Sequence, residues 1–410
     1  MFKRSIRSFA ALLLCAAALL LQAPAATLPR AHVVLGDEVF LRGAWHGLHG
    51  RCVGVITNQT GVTSALVNIV DAIKANPQIC LKAIYSPEHG LRGDRAAGAY
   101  VSSYTDERTG LPVYSLYGPQ RHPTAQMLAG VDVLLFDIQD VGARPYTYVS
   151  TMAYAMEAAK EFGKEIWILD RPNPIGGKMV EGPVLDPRFK SFIGLYPIAM
   201  RHGMTVGELA EMFNRQFGIG ANLRVIRMQG WQRWMLWPDT GLQWVQTSPN
   251  IPEWSTTVVY PCTGLIDNAG LNGGIGTTRP FKYAGAPNLD GYRLAAALNE
   301  RDIPGVYFRP AYWSPFFGAL KDRQISGVEL VVFDPRVFPA ARTAVELIAA
   351  ARAVSDGIIR IDDAHALSVD WGTDTLGLGV EQGRSPNEIV AQWQPALARF
   401  EEIRAKYLLY

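Results

Sequence analysis

Short apolar segments alternate with helix-like segments through the first half of the chain. Residues 64–76 and 151–162 space their apolar side chains as one face of a helix does. The apolar segments between them predict strands that a sheet buries on both faces. They lie at 53–57, 81–85, 131–137 and 165–169. Strands alternating with helices predict an α/β protein with a Rossmann-like, doubly wound, mainly parallel sheet.

A second, smaller α/β domain is predicted after a loop-rich crossing at 249–262. A helix at 205–217 and a strand at 223–228 precede this crossing. Beyond it, the patterns predict helices at 290–301, 340–355 and 385–407 and strands at 306–310 and 327–333. We therefore predict an N-terminal domain over 26–255 and a C-terminal domain over 256–410.

The first 25 residues have the three parts of a secretory signal peptide. Basic residues begin it, an apolar stretch covers 9–21, and Ala23-Pro24-Ala25 offers small residues for cleavage. Cys15 follows Leu14, whereas lipid attachment needs a small residue before the cysteine. A periplasmic or secreted protein without a membrane span is therefore expected, since no other stretch reaches the roughly 20 apolar residues of a spanning helix.

Cleavage of the leader would leave three cysteines, Cys52, Cys80 and Cys262. Cys52 and Cys80 each open an apolar strand-like segment, so neighbouring strands could pair them in a disulfide. The favoured interpretation is that all three are buried as small hydrophobic residues.

Composition excludes several functional classes. The 39 basic and 37 acidic residues nearly balance, which gives no indication of the basic face that a nucleic-acid-binding protein needs. No G-x-G-x-x-G follows the first predicted strand, and no phosphate-binding G-x-x-x-x-G-K-[ST] occurs. No Cys/His cluster or H-E-x-x-H indicates a metal site, so no cofactor is predicted.

Acidic residues follow three consecutive predicted strands. They are Glu88 after 81–85, Asp137 and Asp140 at the end of 131–137, and Asp170 after 165–169. Ligands of doubly wound sheets bind beyond the carboxyl ends of the strands, so these acids are candidates for a site. The alternative is that they cap helices or pair with arginines. Pro87 and Gly90 place Glu88 in a stiff turn. Among these acids, Glu88 is therefore the one for which a purely structural role is least expected.

Further polar side chains lie in the same loop-rich segments and could line a pocket for an anionic sugar. Each could equally have a structural role. The candidate binding residues are Asn58, His89, Arg92, Arg144, Tyr146, Tyr148, Asp170, Arg171, Asn173, Glu181, Arg201, Asn250 and Arg279. His202 flanks the same loops.

Several of these segments, taken in order, resemble one family. They are VITNQTGV (55–62), SPEHGLRG (86–93), DIQDVGARPYTY (137–148), LDRPNPIGG (169–177), VEGP (180–183) and GTTRPF (276–281). Together they resemble the NamZ-type exo-β-N-acetylmuramidases over roughly residues 33–410. The resemblance implies a glycoside hydrolase that releases N-acetylmuramic acid from the non-reducing ends of peptidoglycan fragments. It also implies a site in the cleft between the two domains.

Glycoside hydrolysis usually needs two carboxyl groups, which suggests roles for the candidate acids. Glu88 is the candidate general acid, and Asp137 or Asp140 is the candidate ionised partner. Arg144 or Arg279 would suit the lactyl carboxylate of muramic acid, because an arginine fork binds a carboxylate with two hydrogen bonds. Residues 264–281 are expected to form the wall of the cleft opposite the acid-bearing loops.

One loop departs from the pattern of the family and indicates a divergent member. Asp267, Gly273 and Ile275 stand where that pattern has two glutamates and an arginine. Two alternatives therefore stay open: a catalytically silent protein that binds peptidoglycan or sugar, and a hexosaminidase of different specificity.

Overall fold

A seven-stranded sheet organises the first part of the protein. The structure, a computed structural model, describes residues 32–410, so the predicted leader lies outside the described residues. The strands of the chain are β1 (Cys52–Thr57), β2 (Cys80–Ser86), β3 (Tyr104–Thr105), β4 (Pro112–Ser115), β5 (Val133–Asp137), β6 (Glu165–Leu169), β7 (Glu181–Val184), β8 (Ala199–Arg201), β9 (Asn222–Ile226), β10 (Tyr283–Ala286), β11 (Val306–Trp313) and β12 (Ile325–Val332).

Helices cover both faces of this sheet and continue into the second part. They are α1 (Gly36–Arg42), α2 (Ile69–Lys74), α3 (Tyr148–Glu161), α4 (Val206–Arg215), α5 (Trp254–Thr263), α6 (Gly291–Asn299), α7 (Ala340–Val354), α8 (Ala364–Trp371), α9 (Thr375–Glu381), α10 (Pro386–Ala391) and α11 (Gln394–Arg404).

The strand order of the large sheet fixes where a ligand can bind. It runs β3-β4-β2-β1-β5-β6-β9, and only the β3–β4 pair is antiparallel among these strands. The chain moves outward from β1 through β2 to β4, and then returns to the other side of β1 to form β5. The connection that follows β1 therefore runs to one side of the sheet, and the connection that follows β5 runs to the other. This divergence opens a crevice between the carboxyl ends of the two strands.

The side chains of the central strands alternate between the two faces of the large sheet, and both faces are buried. Val53 and Val55 of β1 point to the face that α1 and α2 cover, together with Trp167. Ile56 points to the opposite face and packs in the cluster that includes α3 and α4. Successive side chains of a strand point to opposite faces, so an almost wholly apolar strand needs cover on both.

The second part contains a smaller antiparallel sheet with strand order β10-β12-β11. Helix α6 packs on β11 and β12, and α5 packs on α7. The apolar cluster on the α3 face of the large sheet continues without a break through α5 and α7 to this smaller sheet. The predicted α/β class is confirmed, with a mainly parallel sheet and a smaller second domain. The exact boundary at residue 255 stays a prediction.

The four apolar segments are confirmed as strands, whereas two helix predictions and one loop prediction need correction. The helix predicted at 64–76 covers only Ile69–Lys74, because the Asn68 side chain caps Val70 N and Leu66 adopts a left-handed φ of 59°. The helix predicted at 385–407 is interrupted before Gln394, since Pro395 cannot continue a preceding helix. Residues 254–263, predicted as a loop, form α5 despite Pro261.

The favoured interpretation of the cysteines is wrong for two of them. Cys52 and Cys80 stand opposite each other on the parallel strands β1 and β2, with their Cα atoms 4.5 Å apart, and form a disulfide. Cys262 is buried and forms no disulfide within residues 32–410.

Candidate active site

Glu88 lies in the turn that follows β2, next to the crevice between β1 and β5. The chain reverses there through left-handed conformations at His89, with φ 69°, and at Gly90, with φ 76°. The His89 ring is held by its Nδ1, which lies 2.8 Å from the carbonyl oxygen of Arg95. His89 therefore supports the turn, and the Glu88 side chain projects beyond the edge of the sheet.

Two donors hold the Glu88 carboxylate. Gly98 N–H donates to Oε1 at 3.0 Å, and the Thr147 hydroxyl donates to Oε2 at 2.7 Å. Thr147 immediately precedes α3, so the first turn of that helix faces the end of β2. The Tyr117 ring lies beside this pair, and burial, reinforced by the charge of Glu88, raises the pKa of Tyr117 to about 12. Glu88 is only half-buried, and the carboxylate is fixed in orientation while still open to a ligand.

Three tyrosines form an aromatic wall beside Glu88. The rings of Tyr146 and Tyr148 pack edge to face with centroids 4.9 Å apart, and Tyr260 packs on Tyr146 at 5.7 Å. Burial raises the pKa of all three hydroxyls, and the charge of Glu88 adds to this effect at Tyr148 and Tyr260. Tyr146 and Tyr148 donate to the side chain and the backbone carbonyl of Thr247, at 2.8 and 2.6 Å. These tyrosines are therefore neutral hydrogen-bonding groups.

The aromatic wall also joins the two parts of the protein. Tyr260 belongs to α5, and its ring packs edge to face on Phe281, at the end of the segment 264–281. Phe281 has a left-handed φ of 62°. This segment therefore reaches the strand-end loops through Phe281 and Tyr260.

Asp140 is the second acid that the structure leaves partly free. Its Oδ2 accepts a hydrogen bond from Gly142 N at 2.7 Å and lies 3.7 Å from Nε2 of His202. The Nδ1 of His202 accepts from Met204 N at 3.2 Å, so Nε2 carries the ring proton of the neutral imidazole. The other oxygen, Oδ1, is buried without a hydrogen-bond partner within residues 32–410.

Asp137 is enclosed in a buried ion cluster with Arg171 and Asp37. Arg171 Nε donates to Asp137 at 2.6 Å, and its Nη2 donates to Asp37 at 2.8 Å and to the carbonyl of Val62 at 3.0 Å. Burial raises the pKa of both acids, and Arg171 opposes that rise; Asp37 reaches about 8. Asp137 is fully buried, so it cannot touch a substrate in this conformation. Asp137 and Arg171 instead anchor the loop after β1.

Asn58 begins that loop, at the crevice itself. Its Oδ1 accepts from both the amide and the hydroxyl of Thr60, at 2.9 and 2.6 Å. Its buried Nδ2 has no hydrogen-bond partner in the part of the chain that the structure describes. Asn58 thus directs its amide group toward Tyr148, at the point where β1 and β5 diverge.

Asp170 serves as a helix cap, the alternative that the sequence left open. It accepts from Gly207 N and the Thr205 hydroxyl, both at 2.8 Å, at the start of α4. The Tyr410 hydroxyl donates to the same carboxylate at 2.7 Å. Burial raises the pKa of Asp170 to about 6. Asn173 is likewise occupied, by Met204 O and Ile175 N.

Glu181 and Arg201 form a structural pair at the start of α7. Arg201 donates to Glu181 at 3.0 Å, while Glu181 accepts from Ala340 N and Ala341 N. Burial raises the pKa of Glu181, and Arg201 opposes this rise. The pair therefore attaches β7 and β8 to the second part.

The remaining predicted residues are not gathered around Glu88 by direct hydrogen bonds. Arg144 is buried, donates to the carbonyls of Ile193 and Asp370, and has its pKa lowered to about 10 by burial. Arg92 binds Asp106 at 2.7 Å, and Arg279 binds Glu329 of β12. Both arginines are about half exposed. Asn250 is half-buried.

Sequence reasoning did not single out Thr147, Tyr117, Thr247, Tyr260 or Asp37. Thr147 could have been found, because it lies between the predicted Tyr146 and Tyr148. The others come from distant segments without a recognisable pattern, and only the tertiary fold brings them to the site. No group of three or more potential metal ligands occurs within residues 32–410, and no helix there is long and apolar enough to cross a membrane.

Comparison with known proteins identifies the family. The family model described as "Exo-beta-N-acetylmuramidase NamZ, N-terminal" matches residues 53–255, and the model for the C-terminal part of the same family matches residues 258–410. The chain belongs to the NamZ family. The family predicted from the motifs is therefore confirmed.

One relative and two solved structures match nearly the whole chain. The peptidoglycan beta-N-acetylmuramidase NamZ of Bacillus subtilis (strain 168) is 45% identical over 389 residues, which cover 94% of this chain and 93% of that protein. A DUF1343 family protein of Bacteroides fragilis NCTC 9343 has a TM-score of 0.88 at 37% identity, covering 93% of this chain and 100% of its own. A second from the same strain has a TM-score of 0.75 at 29% identity, covering 92% and 99%.

Proposed function

We propose that this protein is an exo-acting glycoside hydrolase that releases N-acetylmuramic acid from the non-reducing ends of peptidoglycan fragments. The B. subtilis relative is named as a peptidoglycan β-N-acetylmuramidase, and the match spans both proteins almost entirely. The observation that carries the proposal within this chain is the Glu88 carboxylate, held by Gly98 and Thr147 at the edge of the sheet. Such a carboxylate is the first requirement of glycoside hydrolysis.

Glu88 acts as the general acid. The Gly98 N–H can only donate, so it fixes Oε1 as an acceptor and leaves Oε2 as the oxygen that carries the proton. The Thr147 hydroxyl can either donate or accept, and it can therefore stay bonded to Oε2 in both protonation states. During the reaction this proton moves to the glycosidic oxygen as the bond from that oxygen to the anomeric carbon breaks.

Asp140 acts as the ionised partner. Its Oδ1 is free of hydrogen bonds within residues 32–410, while Gly142 N–H fixes Oδ2. The rival candidate, Asp137, also has one oxygen without a hydrogen-bond partner among residues 32–410, but its other oxygen is paired with Arg171 and its side chain is fully buried. These contacts support Asp140 over Asp137.

Arg279 binds the lactyl carboxylate of the muramic acid residue. Its guanidinium is about half exposed, although Glu329 occupies part of it. The other candidate, Arg144, is buried and donates to two backbone carbonyls. Accessibility therefore supports Arg279.

The protein acts outside the cytoplasm, in the periplasm or after secretion. This proposal rests on the basic start, apolar stretch and small-residue cleavage site of residues 1–25. N-terminal sequencing of the exported protein should find a start near Ala26. A mature protein that begins with an acylated Cys15 would contradict it.

The hydrolase function is tested with Glu88→Gln, which keeps the shape of the side chain but removes the transferable proton. General acid catalysis typically contributes about 10²–10⁴-fold, so turnover of a muramide with a poor leaving group should fall by about that factor. A nitrophenyl muramide, whose leaving group needs less protonation, should be affected less. Glu107→Gln, an exposed position in the same region, is the matched control.

Three outcomes would contradict the proposal. A folded Glu88→Gln protein with full activity would end the catalytic role of Glu88. Wild-type protein that binds muramyl sugars without releasing N-acetylmuramic acid would instead be a silent binding protein. Faster release from glucosaminides would indicate a different hexosaminidase.

A further inference from the structure

A second concave surface lies in the smaller part of the protein, on the loop that ends at Phe281. It is a pocket of about 570 Å³ between residues 267–275 and 315–323, and we refer to it as the Asp267 pocket. Leu271, Ile275, Leu320 and Phe317 are among its apolar lining residues, and Phe317 is 45% exposed. The volume falls within the range of about 300–1,000 Å³ that is typical of small-molecule sites.

Polar groups of this pocket are available to a ligand. The Asp267 side chain is open to solvent, but the pocket walls around it raise its pKa to about 6, while a hydrogen bond from Gly273 N opposes that rise. The Oδ1 of Asn272 accepts from Gly274 N and Trp313 Nε1, at 2.9 and 3.1 Å. That orientation leaves the amide hydrogens of Asn272 as donors.

The charge of the pocket distinguishes between the two sugars of a peptidoglycan strand. Asp267 and Asp362 line it together with a single basic residue, Arg323. Two acids and one base do not favour the lactyl carboxylate of muramic acid. They suit a neutral amino sugar, whose hydroxyl groups can donate to Asp267 and whose acetamido methyl group can lie on the apolar wall.

The pocket adjoins the proposed active site through a short series of charged groups. The negative charge of Asp370 raises the pKa of both Asp267 and Tyr260, and Glu88 raises that of Tyr260 as well. The backbone carbonyl of Asp370 accepts a hydrogen bond at 3.2 Å from Arg144, which lies in the loop after β5. Asn268, next to Asp267, donates to the Asp370 carboxylate at 2.8 Å. Phe281, which ends the same loop, packs on Tyr260.

We infer that the Asp267 pocket is the subsite for the neutral N-acetylglucosamine residue on the leaving-group side of the scissile bond. An exo-acting enzyme holds the terminal muramic acid at the reacting carboxyls, so the rest of the glycan must leave across neighbouring surface. Asp267 accepts hydrogen bonds from hydroxyl groups of this sugar, and Phe317 packs against its ring. The inference rests on the proposed function.

The test compares two substrates on the full-length protein. The disaccharide N-acetylmuramyl-N-acetylglucosamine fills the subsite, whereas nitrophenyl muramide presents a ring without hydroxyl groups. A hydrogen bond to a charged group accounts for roughly tenfold or more in binding. Asp267→Asn should therefore lower the ratio of kcat/KM for the disaccharide to kcat/KM for the nitrophenyl substrate about tenfold.

Asp322→Asn is the matched control, because Asp322 lies in the 315–323 segment that borders the pocket but is 79% exposed and does not line it. It should leave the ratio at the wild-type value. Calorimetric titration with free N-acetylglucosamine adds a measurement that does not need turnover. Binding should weaken in Asp267→Asn and in Phe317→Ala, whose exposed ring can be removed without disturbing the core.

Two results would overturn the inference. An equal loss on both substrates would place Asp267 at the reacting sugar, and an unchanged ratio with unchanged titration would remove it from sugar binding altogether. Failure of the proposed function looks different. In that case the wild type would release nothing from either substrate, while loss of N-acetylglucosamine binding in Asp267→Asn would still support a sugar site.

Discussion

Replacing Thr147 with valine tests whether the orientation of Glu88 matters for catalysis. The substitution keeps the branched shape of the side chain and removes only the hydroxyl that donates to Glu88 Oε2 at 2.7 Å. The backbone carbonyl of Thr147 still accepts from Thr151 N at 3.0 Å, so the start of α3 is preserved. Glu88 keeps Gly98 N–H on Oε1 but loses the contact that fixes Oε2.

The size of the effect follows from this single bond. A hydrogen bond to a charged group contributes about 1.5–3 kcal/mol, which corresponds to roughly 10–100-fold in rate if the full bond acts in the transition state. Because Gly98 still holds the other oxygen, we expect a fall of about tenfold in kcat with little change in KM. Water can replace the hydroxyl at a half-buried carboxylate, so the loss of unfolding free energy should stay below about 1 kcal/mol.

The assay measures kcat and KM for release of N-acetylmuramic acid, together with the melting temperature of the same preparation. Thr147→Ser restores a hydroxyl at this position and should recover most of kcat. The reasoning would be refuted if valine and serine variants had the same kcat. It would also be refuted if the valine variant lost stability but kept its turnover per folded molecule.

Two further predictions concern stability. Burial raises the pKa of Asp170 from 3.8 to about 6, so the folded state binds a proton more tightly and this stabilising contribution is lost as pH rises from about 4 to about 6. The unfolding free energy of wild type relative to Asp170→Asn, measured by urea denaturation at each pH, should therefore fall across that window and stay level above it; a constant difference would contradict the argument. The Cys52–Cys80 disulfide closes a loop with a sequence separation of 28, so a Cys52→Ser/Cys80→Ser double variant should lose about 3–4 kcal/mol. Reduction of the wild type should lower its melting temperature and leave that of the double variant unchanged, whereas equal sensitivity of both would argue against the disulfide.

The large sheet could be predicted because strands buried on both faces have an almost wholly apolar sequence. Strand ends could then be placed, but the direction of each acidic side chain could not. Asp137 is still part of β5, so its side chain follows the strand alternation into a buried face and meets Arg171. Glu88 lies two residues beyond the last residue of β2, in a turn, and projects past the edge. Two positions relative to the end of the strand therefore separate the enclosed acid from the available one.

Other features depend on contacts between distant segments. Tyr117 and Tyr260 reach Glu88 from different parts of the chain, and neither is marked by a sequence pattern. Helix α5 was missed because Pro261 is typical of a loop, although its buried apolar neighbours keep the helix in place. The sequence motifs nevertheless predicted the family, which composition and periodicity alone did not indicate.

The contact between Tyr410 and Asp170 has a consequence for the order in which the protein folds. The Tyr410 hydroxyl reaches a strand-end carboxylate 240 positions earlier in the chain. Contacts between residues so far apart close a very large loop, and folding slows as such contacts become dominant. The loop after β6 therefore acquires its final surroundings only when the last residues have been incorporated. Until then Asp170, already enclosed at the end of β6, lacks one of the hydrogen-bond donors that hold its buried carboxylate.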